Sequence, residues 1–516
     1  MKNNGYRRLA VAVAAMLITA APAAADERRE LEELRATTYE LIRLLVDAGA
    51  VSRERADALI READRRAAES RKKAAETKAA EAQTVRVPYV PETVRRKISE
   101  ELKQEILAQA KAERWGDAGA LPEWMDRIAF EGDIRLRYQS DLFQPDNAPA
   151  AFFQGGLGQN INNTTEDRER MRLRARLGLN LKIADWLSGG LRITTGNTND
   201  PVSTNQTLGN SANKYTLVLD RAYLRANPVE WLSVSGGRIP NPWFSTDLVW
   251  DEDLNFEGVA ATLKPRFTDA TSGFLTFGVF PLQEIEDSLT TRAKDKWLVG
   301  TQVGFEWTAP NRSRFKLGLA LYDFRNYEGI RNSPNSTLFN LTAPQFRQKG
   351  NTVFNIDNDG DPTTTLFALA PKYRTLNFTG ALDLARFDPV HIVLTGDYVR
   401  NIGFDSSDIL RRSGLNIDRQ DTGYMARLLV GMPQLRDRGD WQVFGGYRRL
   451  ERDAVVDAFT DSDFHLGGTN NKGYFIGAGY GLARNTWLSV RWLSSTAVTG
   501  APLAIDVLQF DLNARF

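Results

Sequence analysis

The spacing of apolar positions changes once along this chain, and the change divides it. From residue 26 to about residue 84, Leu31, Leu34, Thr38, Leu41, Leu45 and Ala48 step by three and four, a heptad-like helical seam. Gly49 interrupts it, and Ser52 offers a cap for a second helix that runs to about Gln83 and is almost all alanine and charge. The segment reads either as solvated helix or as a short coiled coil that trimerises. Pro88 and Pro91 then punctuate a connector, residues 85–129, whose charged helix spans Thr93 to about Arg114. From Phe130 onward the period is two. In "FEGDIRLRYQ", Phe130, Gly132, Ile134, Leu136 and Tyr138 share one face, and Glu131, Asp133, Arg135, Arg137 and Gln139 share the other. In "RMRLRARLGLNLKI", Met171, Leu173, Ala175 and Leu177 alternate with Arg170, Arg172, Arg174 and Arg176. About sixteen such segments recur through residues 130–516, most near the ~9–11 residues that a tilted strand needs to cross a bilayer.

The connectors separate a membrane barrel from a soluble sandwich. Residues 141–167, 197–214, 240–255, 326–371, 401–420 and 453–471 are long. They alternate with short ones, "ADW" from Ala184, "NPVE" from Asn227, "RFD" from Arg386 and "ARN" from Ala483. Short periplasmic turns and long external loops are the outer-membrane pattern, and a soluble sandwich has no reason to sort its loops this way. The expected fold is an all-β transmembrane β-barrel of about sixteen antiparallel strands with an α-helical periplasmic N-terminal extension. No backbone group stays unpaired in lipid only if the last strand pairs with the first. Both ends then lie on one side, which requires an even strand number. Leu508, Phe510, Leu512, Ala514 and Phe516 give the closing strand its apolar face, and Phe516 is expected in the inner aromatic girdle.

Composition supplies the compartment. Lys2, Arg7 and Arg8, the apolar run "LAVAVAAMLITAA" and the small residues Ala23 to Ala25 form a signal-peptide pattern over residues 1–25. The run is shorter than the ~20 residues of a spanning helix. Its removal moves the formal charge from +1 to −2, because it takes three cations and no acid. Overall charge therefore points to no nucleic acid or other charged partner. The chain has no cysteine, so disulfides play no part, and its two histidines leave little room for a His-based metal cluster.

Several stretches resemble a bacterial family called "putative porin". They are "VPYVPETVRRKISEELKQE", "LPEWMDRIAFEGDIRLRYQ", "RERMRLRARLGLNLKI" and "LDRAYLRANPVEWLSVSGGRIPNPWFSTDLVWDEDLNFEGVAATL", together with the terminal Phe516. The most specific is "GRIPNPW…LVWDEDLNFEGV". The resemblance covers the mature chain. It implies an outer-membrane channel of a Gram-negative bacterium with a helical prefix in the periplasm, surrounded by outer-membrane lipid and open to small hydrophilic solutes. A strand ending in Phe also resembles the signal read by the bacterial barrel assembly machinery. Trimeric general porins suggest a homotrimer.

A barrel of about sixteen strands leaves an aqueous lumen whose narrowest point sets what passes. Arg135, Arg137, Arg170, Arg172, Arg174, Arg176 and Arg192 fall on the lumen-facing parity, as do Arg221, Arg225 and Arg238. Asp220 breaks the alternation of its own strand. The third long connector, "PNPWFSTDLVWDEDLN", carries Asp247, Asp251, Glu252 and Asp253 with apolar anchors Trp243, Phe244 and Trp250. In general porins this loop folds inward and sets the bore. The expected constriction has these carboxylates facing the wall arginines and a weak anion preference. The alternative is that the arginines are neutralised by Glu131, Asp133 and the loop acids. In "NIDNDGDP", Asp357, Asp359 and Asp361 match the first half of a calcium loop, but Leu366 replaces the closing Glu, which leaves a surface turn as the alternative. No cofactor is otherwise expected. His391 and His465 lack a nucleophile motif, so an enzyme is not expected. A structural reading remains beside the channel, in which the periplasmic helices tether the cell wall or a partner protein.

Overall fold

The computed structural model describes residues 127–516 apart from Asn160 and Pro362. The expected signal peptide (1–25), the helical segment (26–84) and the connector up to residue 126 lie outside the described residues. The connector's last residues already belong to the wall, whose first strand begins at Ile128.

Sixteen strands form the wall: β1 Ile128–Phe143, β2 Arg168–Lys182, β3 Leu187–Thr194, β4 Val218–Val229, β5 Leu232–Pro240, β6 Asn255–Leu263, β7 Thr271–Gln283 and β8 Lys296–Thr308. Then come β9 Arg314–Arg325, β10 Arg374–Phe387, β11 Val390–Asn401, β12 Thr422–Gly431, β13 Trp441–Leu450, β14 Asn471–Ala483, β15 Thr486–Ala497 and β16 Ala504–Arg515. A two-residue strand, Gln206–Thr207, also joins the sheet beside Arg172 and Leu173. Each wall strand pairs antiparallel with the next. β16 pairs with β1 from Asp133 opposite Arg515 to Phe143 opposite Ile505, so the sheet closes on itself. Gly132 and Phe516 extend the closure, each donating its N–H to the other's carbonyl at 3.0 Å. The Phe516 ring lies over Gly132, where a Cβ would come within 2.4 Å of it.

The alternation of side chains is plain in β1. Ile134, Leu136 and Tyr138 are exposed on the outer surface, whereas Arg135, Arg137, Gln139 and Asp141 are buried inside. Exposed Trp186, Trp231, Phe267, Trp307, Phe387, Trp441 and Phe516 mark the end with the short turns, as an interfacial aromatic girdle does. The turns at that end include 183–186, 230–231, 388–389 and 484–485. The opposite end carries loops L1 (144–167), L2 (195–217), L3 (241–254), L4 (284–295), L5 (326–373), L6 (402–421), L7 (451–470) and L8 (498–503). L6 contains a short helix, Ser406–Ser413, capped by Asp405.

The interior holds an apolar core, which distinguishes this barrel from an empty cylinder. Leu248, Val249 and Trp250 of L3 pack with Ala454, Val455, Val456 and Ala458 of L7 and with Phe280, Leu298 and Tyr322 of the wall. L3 and L7 therefore enter the barrel together, and Val202 of L2 and Tyr327, Leu369 and Tyr373 of L5 join the same cluster.

Candidate functional site

L3 leaves the wall at Pro240 and crosses the lumen. Trp243 rests against β7 to β9, edge-on to Phe280 and Tyr322 with ring centroids at 6.1 and 5.3 Å. Glycine makes the room: a Cβ at Gly300 would stand 2.5 Å from the Trp243 ring. Gln302 clasps the backbone of Phe244, accepting from its N–H at 2.8 Å and donating to its carbonyl at 2.7 Å. Thr246 donates to Asp397 of β11 at 2.5 Å. On the far side Asp253 accepts from Arg176 at 3.2 Å, with Arg174 at 3.8 Å, so the loop ends against β2.

L7 runs beside it. Asp251 accepts from the N–H of Ser462 at 2.9 Å, and its own N–H donates to the Phe459 carbonyl at 2.9 Å. Asp461 accepts from Arg448 of β13 at 2.8 Å. Asp463 accepts from Arg137 at 3.0 Å and from Arg491 of β15. Burial opposes the Asp463 charge, but Arg137, Arg491, Arg135 and Arg172 outweigh it and hold the carboxyl well below the usual range. Asp251 goes the other way. Burial and the charges of Asp253 and Asp461 push it well above that range.

Between the two loops and the wall lies a cavity of about 200 Å³. Asp247, Asp251, Glu252 and Asp253 border it on the L3 side, Asp461 and Asp463 on the L7 side, and Arg135, Arg427, Arg448 and Arg491 on the wall. Asp247 and Glu252 are exposed to the lumen, whereas Asp251 and Asp253 are buried in contacts that fix the loop.

The wall arginines fall into two sets. Arg137 pairs with Asp511 at 2.7 Å as well as with Asp463. Arg170 pairs with Asp141 at 2.6 Å, and Arg174 and Arg176 share Asp133 at 3.0 and 2.7 Å. Arg192 pairs with Asp220, the extra residue of a register shift between β3 and β4 that admits both Asp220 and Arg221 to the interior. Arg221 and Arg225 donate to Asn255 and Ser235, and Arg238 pairs with Glu257. The second set has no carboxylate partner among the described residues: Arg221 and Arg225, and also Arg135, Arg172 and Arg427, which border cavities. Arg135 donates to Asn205 at 2.6 Å, Arg172 to Gln139 at 3.2 Å, and Arg427 lies 4.5 Å from the ring centre of Phe444. Among the described residues none of the three has a carboxylate within ion-pair distance.

Sequence reading of the first strands missed Arg427, Arg448 and Arg491, although the same alternation marks Arg427. Tyr424 and Leu428 are exposed outside, which turns 425, 427 and 429 inward. The L7 acids were missed too. Their signal was the apolar run "AVVDAF", out of place in a solvated loop and buried here.

Asp357, Asp359 and Asp361 sit in L5, where each carboxylate accepts the N–H two residues on, at 3.2, 2.9 and 2.8 Å. Among the described residues no three carboxylates or histidines gather at a point that would hold a metal. His391 contacts Asp383 at 2.6 Å, and His465 is buried against Ser495 at 2.9 Å. The Ser495 hydroxyl donates to the Ile505 carbonyl.

No curated protein matches this chain. Among solved structures it is similar to OprB of Pseudomonas putida at high pH, with 13% identity over 78% of this chain and 97% of that one, at a TM-score of 0.45. The outer membrane channel DcaP of Acinetobacter baumannii follows, with 11% identity over 75% and 97% at a TM-score of 0.41. Salmonella typhi OmpF in complex with daunomycin gives 10% over 75% and 97% at 0.39. The family described as putative porin matches residues 35–516, and the chain belongs to that family.

Proposed function

We propose that this porin is a passive diffusion channel of the outer membrane for small hydrophilic solutes and ions, with a weak preference for anions. The observation that carries the preference is the imbalance of uncompensated charge at the constriction. Among the described residues Arg135 and Arg427 at the constriction, and Arg172 in the chamber above it, have no carboxylate within ion-pair distance, against Asp247 and Glu252 as the lumen-exposed acids of L3. The paired charges around them largely cancel at a distance. Uncompensated ones do not, and inside a narrow water-filled bore they fall within a Debye length of ~8–10 Å of any passing ion. Acids on L3 and arginines on β1, β12 and β15 also face each other across the bore, a transverse field that orients polar solutes. The loop end faces outside and the short turns face the periplasm, following the usual sorting of loop lengths. A homotrimer is the assembly we propose; the alternative role is that of an anchor whose N-terminal segment tethers the cell wall or a partner protein.

Reconstitution into planar bilayers and into liposomes tests this. Stepwise conductance in KCl and swelling in isotonic small sugars are the expected results. A folded, heat-modifiable barrel that passes neither ions nor sugars would instead favour the tethering role.

A further inference from the structure

On the long-loop side of the constriction lies a second chamber, of about 340 Å³, enclosed by the tops of β1 and β2 and by L1, L2, L5 and L7. Five cations border it, Arg168, Arg170, Arg172, Arg347 and Lys349, against two carboxylates, Asp141 and Asp200. Asp141 is engaged by Arg170 at 2.6 Å. Lys349 is committed to L7: its ammonium donates to the carbonyls of His465, Leu466 at 2.9 Å and Gly467 at 2.7 Å. Asp200 accepts from the N–H of Val202 at 3.1 Å.

Arg172 and Arg347 have only neutral partners. Arg172 reaches Gln139 at 3.2 Å and Ser203 at 3.4 Å, and its Nε is buried with no acceptor. Arg347 donates to the carbonyl of Gly158 at 3.0 Å. At longer range, without an ion pair, Asp457 acts on Arg347, and Asp463, Asp141 and Asp200 act on Arg172. Asn162 also borders the space, whereas the side-chain amides of Gln348 and Asn163 donate to the backbone carbonyls of Asp457, Thr460 and Glu166. Two guanidiniums, one on the wall and one on a loop, thus border one cavity with neither in an ion pair among the described residues. A halide satisfies one such group at a time. An oxyanion with several charged oxygens matches planar forks on two sides and gains charge-assisted hydrogen bonds from both.

We infer that this chamber is a binding site for a small oxyanion of two or more charges, a phosphate or a short dicarboxylate, held by Arg172 and Arg347 on its way to the constriction. The inference deepens the channel reading and rests on it. Arg172 hands the anion on toward Arg135, because Ser462 borders both this chamber and the constriction cavity below it.

The test uses the full-length protein in planar bilayers, with chloride carrying the current. Inorganic phosphate or succinate added on the loop side should reduce that current at millimolar concentration, and acetate should need about tenfold more. R172Q/R347Q should raise the half-blocking concentration of the dianions by about tenfold or more while chloride still flows. A stronger effect of phosphate assigns the site to a tetrahedral oxyanion, and a stronger effect of succinate to a dicarboxylate. Absence of block, equal block by acetate, or unchanged block in the double variant overturns the site. If the double variant does not fold, R347Q alone carries the test, since Arg347 lies on a loop. If no current flows in any variant, the channel reading fails. Equilibrium dialysis of phosphate and succinate against the detergent-solubilised protein then decides the site by itself, tight binding to wild type but not to R347Q supporting it and equal binding refuting it.

Discussion

Arg135 and Arg137 stand two residues apart on β1, and both are buried, at 6% and 1% of their surface exposed. Arg137 is held by two carboxylates, Asp463 from L7 and Asp511 from β16. Arg135 has one amide oxygen and faces the constriction cavity. Residue type, strand and parity are the same. What separates them is whether a carboxylate arrives from another part of the chain. Where it does, the arginine ties a loop to the wall. Where it does not, the charge is left to the bore. Arg174, Arg176 and Arg192 belong with Arg137, and Arg172 and Arg427 with Arg135.

The largest expected effect breaks the paired side. Among the described residues Arg137 is the only arginine paired with Asp511 and one of two paired with Asp463, so Arg137→Leu strips buried charges of a partner, which costs about 3–5 kcal/mol. The unfolding temperature of the heat-modifiable barrel should fall clearly, whereas Arg135→Leu should change it much less. Equal losses would erase the distinction. A comparable change is expected where L3 is anchored. Trp243→Ala empties a packed aromatic site, a substitution typically worth about 3–5 kcal/mol. L3 should leave its place, and single-channel conductance should rise. Unchanged conductance would mean that this anchor does not set the bore.

The next effect sharpens the unpaired side. Asp247→Asn with Glu252→Gln removes lumen-exposed negative charge and breaks no ion pair among the described residues. Anion preference should increase with melting unchanged, and the change should shrink in 1 M salt, where the Debye length is ~3 Å. A selectivity that does not move would place these acids outside the ion path.

The smallest effect is on pH. Asp453 and Asp457 of L7 are buried, and burial pushes each up to about 6. The folded loop thus binds protons more tightly than the unfolded one. The stability this contributes is full below the ordinary carboxyl range and is lost as pH rises through about 6. Hydrogen exchange in L7 should therefore be slower at pH 5 than at pH 8 after correction for the intrinsic rate. The reverse order would mean that these carboxyls prefer the charged form.

Much of this molecule was legible in the sequence because a barrel wall obeys one local rule. Alternation placed Ile134 and Leu136 outside and Arg135 and Arg137 inside, and loop lengths sorted the two ends. L3 was legible for a similar reason, since Trp243, Phe244 and Trp250 in a loop need somewhere to be buried. Ion pairing was legible only in part. Asp133 and the L3 acids were open as neutralising partners, and Asp133 and Asp253 do meet Arg174 and Arg176. The partners of Arg137, however, come from 326 and 374 positions away. Nothing near Arg137 in the chain announces Asp463, and nothing near Arg135 announces that no acid will come. The division of the arginine ladder therefore depends on wall carboxylates, Asp133, Asp141, Asp220 and Asp511, as well as on Asp253 of L3 and Asp463 of L7. Asp220 lies between these cases: its break in alternation was visible, but its meaning, a bulge that pairs Arg192, needed the register.

The most direct test of the account is the reversal potential in a KCl gradient, compared among three forms of the reconstituted protein. Wild type should lean toward anions at low salt. Arg135→Gln combined with Arg172→Gln and Arg427→Gln should abolish or invert that preference while the barrel still folds and conducts. Arg174→Gln with Arg176→Gln, which frees Asp133 and Asp253 along with removing two cations, should move the potential less than the triple variant does. A triple variant with the wild-type potential, or a paired double variant that shifts it more, would contradict the claim that the unpaired arginines set the selectivity.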